Sequence, residues 1–465
     1  MAGSVQATPG YALTPSPEKV LLPNNYITNF DFLSQYLPDT YEKEFERYGN
    51  RSVSSFLRMV GAELPCSSDL IKWAEQGRLH IKYVNCASGA AATADTATIT
   101  VSDTGVTAIG VKKGQTVHIS DNDTAANSNK GIVTAVTNTT FDVAYYEAGG
   151  QTFATSDTLS VFIYGSEFAK GSDGDIQSIE ANDTILDNSP IIIRDKYKVS
   201  GSDMTQIGWV KVASENGADG YLWYIKSEHE TRLRFEDYLE TAMVEAVPAE
   251  TGSGAIAQSD AQLGSKGSDG LFYSVENRGN VWSGGVPSAL DEIDQIVQRL
   301  DKQGAIEENV LFVNRTFSFA IDNMLGAVNG AYSSGASYGL FDNDKEMALN
   351  LGFSSFRRGY DFHKSDWKYL NDASMRGGIV GGAVNGVLIP AGSTTVYDKV
   401  LGKNAKRPFL HVRYKVAGAE DRKYKTWSTG GAGGAATSGL DAMEVHFLSE
   451  RALCTLGANN FMLFK

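Results

Sequence analysis

The sequence predicts a mixed α+β protein into which a small all-β barrel or sandwich is inserted. Three observations carry this. From Cys86 to about Gly165 the chain turns rich in Thr, Ala, Gly and Asp, and short β-type runs recur: Thr98–Val101, Thr116–Ile119, Ile132–Val136, Phe141–Tyr146 and Leu159–Tyr164. Turn signals such as Lys113-Gly114, Asn129-Lys130-Gly131 and Gly149-Gly150 separate them, the pattern of a compact all-β module. One long helical stripe runs from Ser227 to Val247, and after residue 286 helical and strand-like segments alternate.

Length and charge bound the rest. At ~150 residues per domain, 465 residues make about three domains. Lys and Arg number 41 and Asp and Glu 55, a net of −14. Residues 84–187 hold four Lys, no Arg and thirteen Asp or Glu, a net of −9, so most of the imbalance sits in the β module. Such a surface does not neutralise phosphates, which argues against a broad grip on nucleic acid. Apolar residues at 42% and charged residues at 21% fit a folded soluble chain. The start MAGSVQATPG has neither the basic nor the apolar region of a signal peptide, and no run of ~18 apolar residues predicts a membrane span. Cys66, Cys86 and Cys454 are far apart with no CxxC, so they read as idle thiols of a reducing compartment.

Residues 1 to about 50 read as an extended arm, because five of the 11 prolines (Pro9, Pro15, Pro17, Pro23, Pro38) stand there among interspersed aromatics. The arm either finds its apolar partner on another subunit or is a floppy terminus. Two short helices are expected next, one near Val53–Val60 and one opening at Ser67 or Ser68 and closing at Gly77. A strand Arg78–Asn85 follows. Pro190–Val199, Gln206–Val212 and Gly220–Ile225 read as extended, and the runs around Lys82 and Lys196 are expected to pair as two arms of a long ribbon.

Ser227 and Glu230 form a Ser-x-x-Glu capping box for the long helix. Leu233, Phe235, Leu239, Ala242, Met243 and Val247 give its stripe, Glu228–Arg232 and Glu230–Arg234 support it, and Pro248 ends it. Residues 249–285 read as a linker or loop. Ser288 is expected to cap a helix through Leu290, Ile293, Ile296, Val297 and Leu300 that Gly304 stops. A buried strand Val310–Val313, a helix from Asn314 to about Leu325 and a flexible stretch Gly326–Gly339 come next. Strand-like runs occupy Ala348–Phe356, Tyr360–Phe362, Val387–Pro390, Phe409–Tyr414, Val445–Leu448 and Phe461–Phe464.

No motif supplies a reaction centre. Gly335-Ala-Ser337-Tyr-Gly339 matches G-x-S-x-G, but a helix and a Gly/Ser loop precede it where a nucleophile elbow needs a strand. Gly431-Ala-Gly433-Gly-Ala-Ala436 leads into Gly439–His446, which reads as strand, so no helix N-terminus is expected to meet a pyrophosphate. Asp121-Asn-Asp123-Thr-Ala125 begins like a calcium loop and breaks at its fifth position; Asp173-Gly-Asp175 is weaker. His80, His118, His229, His363, His411 and His446 never fall at H-x-x-x-H spacing. The expectation is no catalytic, cofactor or metal site, and hence no enzyme.

The order of these parts resembles the major capsid proteins of tailed bacteriophages, whose shell fold is shared with herpesviruses, with the closest likeness to crAss-like phages. The residues that carry the resemblance are Ser227–Val247 as the spine helix, Ala289–Gly304 with Glu308–Asn314 as the axial lobe, and Met443–Glu450 near the end. It implies an N-terminal arm at 1–50, the start of a peripheral domain and the rising arm of an extended β-ribbon loop at 51–85, and an inserted all-β domain at 86–165. It further implies a returning arm at 166–213, the peripheral domain with its spine helix at 214–285, an axial domain at 286–430 and a return to the peripheral domain at 431–465. The inserted module departs from the family pattern. The implied function is a virion structural protein that self-assembles into hexamers and pentamers and closes an icosahedral shell around double-stranded DNA. Its implied partners are itself, a portal, scaffold and accessory or fibre proteins, with assembly in a bacterial host cytoplasm and no membrane. Two alternatives stay open: a tail-associated or secreted carbohydrate-binding or hydrolytic protein, and the shell of an encapsulating compartment.

Overall fold

The computed structural model describes residues 62–78, 80–89, 95–103, 108–124, 127–150, 152–171, 183–205, 212–213, 219–220, 223–257, 266–304, 306–333, 355–391, 393–398, 403–432 and 437–465. The arm at 1–50, the helix at Val53–Val60, the G-x-S-x-G run at 335–339 and Asp173-Gly-Asp175 lie outside these residues. The chain divides into two units, residues 73–186 and residues 1–72 together with 187–465.

The first strands among the described residues, β1 (Ala62–Cys66) and β2 (Ile71–Gln76), flank a turn. This corrects the helix expected from Ser67 to Gly77. Ser68 does cap, but its Oγ accepts the Leu70 N–H at 3.2 Å and closes a local turn. Ile71–Gln76 then alternates buried or half-buried with exposed residues, a period of two, where a helix needs 3.6. β2 pairs with β9 (Asp183–Asn188), and within these two strands the chain passes from one unit to the other and back.

Between them lie β3 (Lys82–Ser88), β4 (Thr96–Val101), β5 (Gln115–Asp121), β6 (Ser128–Val136), β7 (Thr140–Tyr145) and β8 (Leu159–Ser166). They close an antiparallel barrel of order β3-β4-β7-β6-β5-β8. The five short β-type runs fall within or at the edge of these strands. Alternate residues point inward: Ile99, Val117, Ile119, Val133, Phe141, Val143, Leu159 and Val161 are buried in one cluster. Gly131 lets two strands approach, since a Cβ there would meet the Ala144 carbonyl oxygen at 2.5 Å.

The ribbon expected between the runs at Lys82 and Lys196 does not form. Lys82 stands in β3, between β4 and β8, because Cys86 and Ser88 further along that strand are drawn into the barrel core. Lys196 stands in β10 (Ile191–Ser200), which runs antiparallel to β23 (Ala442–Thr455) from Ile191↔Arg451 to Ser200↔Ala442.

Among the described residues, the larger unit holds two six-stranded sheets. In the first, the order is β1-β20-β23-β10, where β20 is Leu410–Ala417, with β21 (Glu420–Asp421) on β20 and β22 (Lys425–Gly430) on β23. In the second, the order is β13-β24-β17-β14-β16-β15: Asn280–Trp282, Met462–Phe464, Gly386–Pro390, Glu308–Val313, Tyr360–Asp366 and Ser355–Arg358. Two further strand pairs are β11 (Val212–Ala213) with β12 (Asp219–Gly220), and β18 (Ser393–Asp398) with β19 (Lys403–Pro408). The terminal strand β24 is wholly buried, and the Phe464 ring meets Phe317 at 5.0 Å.

A short helix α1 (Gly201–Thr205) follows β10, and the long helix α2 spans Trp223–Glu245, about 35 Å. It starts one turn before Ser227, so the expected capping box is instead helix interior, where the Ser227 carbonyl accepts the Thr231 hydroxyl at 2.9 Å. Phe235 and Leu239 bury against Val445 and Phe447 of β23, with Phe235 edge-on to Tyr424 at 5.4 Å. Val247 lies beyond the helix and is exposed.

The linker expected at 249–285 contains α3 (Leu271–Arg278) and β13. Its short apolar stripe, Leu271, Phe272 and Val275, is buried beneath α2's Met243 and Val244 and β24's Leu463. Helix α4 (Leu290–Gln303) is capped by Glu292 rather than by Ser288: its carboxylate accepts the Ser288 N–H at 2.7 Å and the Ala289 N–H at 3.1 Å. Gly304, at φ 78°, ends it in the left-handed conformation. In α5 (Arg315–Ser333), Asn314 Oδ1 accepts the Phe317 N–H at 2.8 Å. That helix runs eight residues beyond Leu325, so 326–333 is helix and not a flexible stretch. A last short helix, α6 (Lys368–Asn371), precedes the turn into β17.

Candidate functional site

Where the structure describes them, the Asp121–Asp123 loop and the start of the glycine run serve local structure. Asp121 Oδ1 accepts the Asp123 N–H at 2.8 Å and Asp123 Oδ2 accepts the Thr158 N–H at 3.1 Å, so both carboxylates pin loops of the barrel. Gly431 donates its N–H to the Leu440 carbonyl at 2.7 Å, and among the described residues the next element is the strand β23. Among the described residues no group of three or more His, Cys, Asp or Glu is placed to hold a metal ion. Burial pushes the Cys86 and Cys454 thiols up to about 12, which removes them as nucleophiles near neutrality.

Two arrangements were not legible from the chain order. The first is a charged seam fastening β1 to the sheet. β1 runs parallel to β20, from Ala62↔His411 to Cys66↔Lys415. Lys415 sits between Asp69, which it contacts directly, and Glu450 at 3.3 Å. Arg422 Nε donates to Glu450 at 2.5 Å, and Glu63 meets Lys423 and, at 3.6 Å, Arg451. The hydrogen bond from Lys415 holds the Asp69 carboxyl below its ordinary 3.8 and raises Lys415 above 10.5. Arg451 is buried, which lowers it, and it spends its guanidinium on the Ser449 hydroxyl (2.8 Å) and the Lys423 carbonyl (3.0 Å).

The second is the sheet face turned away from α2. Register places Lys196 beside His446 and His446 beside Trp427, while Lys198 faces Glu444. The Trp427 and His446 rings stack at 5.1 Å, Lys425 stands 5.8 Å from the Trp427 centroid, and His446 Nε2 pairs with Thr429 Oγ1 at 2.7 Å. Arg194, Lys196 and Lys198 are exposed along this face. The alternation Ile192-x-Arg194-x-Lys196-x-Lys198 is a period-two signal readable in the sequence; the pairing with His446, and through it with Trp427, more than 200 positions on, is not.

Apolar side chains stand open on separate elements of this same unit: Ile192 on β10, Tyr238 on α2, Phe319 on α5 and Val380 in the loop before β17. Val380 is 95% exposed, yet its loop is tied, since Arg376 donates to the Gly382 carbonyl at 2.7 Å and Gly378 to Met375 at 3.1 Å.

No family model and no curated protein matches the chain. Among solved structures, it is similar to a capsid structure of the cyanophage P-SCSP1u, with 8% identity over 97% of this chain and 98% of that one and a TM-score of 0.40. It is also similar to the capsid of a native GTA particle, with 10% identity, 92% and 94% coverage and a TM-score of 0.37. A third is the mature capsid of bacteriophage PhiM1, with 12% identity, 65% and 78% coverage and a TM-score of 0.34.

Proposed function

We propose that this chain is a capsid protein of a tailed bacteriophage, a structural subunit without a reaction centre that closes a shell with copies of itself. The observation that carries the reading is the scatter of exposed apolar side chains over separate elements of one unit: Ile192, Tyr238, Phe319 and Val380. Single exposed apolar residues are ordinary on a surface, so the weight lies on Val380, 95% exposed in a loop that is nonetheless tied, and on the spread over a strand, two helices and a loop, which fits a subunit with several neighbours. The order of parts in the sequence supports the same reading. Hexamers and pentamers around double-stranded DNA are the form this assembly takes, and an acidic wall, with a net charge of −14, suits a lining that does not hold the packaged polyanion. Many weak contacts then add up through multivalency. Negative-stain microscopy of the purified chain, alongside a sizing column, is expected to show closed particles of uniform diameter. A monomer peak with no particles across salt and protein concentration overturns the proposal.

A further inference from the structure

The barrel unit has two unlike sides. Its strand order places β5 and β8 across the closed barrel from β4 and β7. On the β5–β8 side, register puts His118 next to Phe162 and next to Lys130, and Phe162 next to Lys82. Lys82, Phe162, His118 and Lys130 therefore form one row across four strands, at steps of ~4.8 Å. A register shift between Thr116 and Val117 makes Tyr164 an extra residue on β8; it is 47% exposed and Phe162 is 42% exposed. Tyr146, just past the end of β7, stands at the edge between the two sides, its N–H on the Lys130 carbonyl at 3.0 Å and its hydroxyl on the Glu167 carboxylate at 2.5 Å.

The β4–β7 side is different. Ala97, Ile99, Val101, Phe141 and Val143 point inward and are buried, so Thr96, Thr98, Thr100, Thr140 and Asp142 point outward. Thr98 and Asp142 are register partners, and the Thr98 hydroxyl donates to the Asp142 carboxylate at 2.6 Å. This side offers hydroxyls and the Asp142 carboxylate where the other offers rings and cations, its Glu167 carboxylate being taken up by the Tyr146 hydroxyl.

We propose that barrels of neighbouring copies pack head to tail, the aromatic and basic side of one against the threonine and aspartate side of the next. This inference rests on the capsid reading for its setting, and it names the surfaces through which copies meet. The two sides lie across the barrel from each other, so each copy engages two neighbours, and such a heterologous contact closes into a ring where the rotation between copies closes and otherwise runs on as an open row. Charge favours a second copy over a free polyanion. Residues 73–186 carry thirteen Asp or Glu against six Lys or Arg, so the unit as a whole repels nucleic acid while its one cationic row finds carboxylates on the copy beside it. Exposed Phe and Tyr supply the desolvated centre that such contacts use.

The full-length chain tests this. Phe162→Asp, which points outward and spares the barrel core, is expected to raise the protein concentration needed for half-assembly on the order of tenfold or more. Thermal melting is expected to stay at the wild-type midpoint. Lys130→Glu is expected to weaken assembly and Asp142→Lys in the same chain to recover it. Geometry is read independently: in a Cys66→Ser background, Phe162→Cys chains mixed with Thr98→Cys chains under mild oxidation are expected to give a mixed disulfide dimer that neither gives alone. Particles that form without that disulfide, or at the wild-type concentration with Phe162→Asp, overturn the barrel contact and leave the capsid reading standing. A mixed disulfide in a sample that never forms particles supports the contact and overturns the capsid reading.

Discussion

Asn188, the last residue of β9, should be among the costliest polar side chains to remove from the larger unit. It is 5% exposed. Its amide nitrogen donates to the Leu453 carbonyl at 2.7 Å and the Asp269 carbonyl at 3.1 Å. Its amide oxygen accepts the Ser268 hydroxyl at 3.0 Å and the Asp269 N–H at 2.9 Å. One side chain thus ties β9 to β23 and to the segment that leads into α3. Asn188→Ala removes four long-range hydrogen bonds, each worth about 1 kcal/mol net, and leaves the buried Ser268 hydroxyl and Asp269 N–H without that acceptor. The sum is a loss of about 4 kcal/mol, a large part of the ~5–15 kcal/mol of an ordinary domain. Asn188→Asp keeps the acceptor, loses both donors and sets a charge against two carbonyls, so it should rescue little. Urea titration of the unassembled chain, followed by tryptophan fluorescence, measures this. A loss below about 1 kcal/mol for Asn188→Ala would refute the view that these bonds are unsatisfied without the amide.

Three further outcomes are expected. Lys364 and Asp322 form a nearly buried pair at 2.6 Å between β16 and α5, with side chains 8% and 11% exposed; Asp322→Asn leaves the ammonium uncompensated and should cost on the order of 3 kcal/mol in the same urea titration. The Asp69–Lys415 contact sets two pH edges for β1: the Asp69 contribution is full above pH 3.8 and fades as pH falls through its lowered value, and the Lys415 contribution is full below pH 10.5 and fades above its raised one. Hydrogen exchange of Ala62–Cys66, corrected for intrinsic rates, should show protection falling below about pH 3.8, and unchanged protection at pH 2.5 would count against the seam. Val380→Asp should suppress particle formation while the unassembled chain keeps its stability within about 0.5 kcal/mol, as measured by light scattering and thermal melting.

What the sequence made legible follows from the range of the physics involved. The barrel strands, the long helix and the caps at Asn314 and Gly304 rest on neighbours a few residues apart, where period and punctuation decide the outcome. The segment Ile71–Gln76 misled because Ser68 and Gly77 look like helix punctuation, while the alternation between them is that of a strand paired with residues more than 100 positions away. α3 was hidden for a related reason: its apolar stripe is only Leu271, Phe272 and Val275, set among Gly and Ser, and it becomes a helix by packing on α2 and β24. The Trp427–His446 stack, the Asp69–Lys415–Glu450 seam and the row across the barrel are products of register, which no local pattern encodes.

Mass photometry of the purified chain bears most directly on the central claim, that the chain works by associating with copies of itself. The account predicts species at five and six times the 50.1 kDa subunit, growing into particles as concentration rises. A single species at 50.1 kDa across the accessible range of salt and concentration contradicts it.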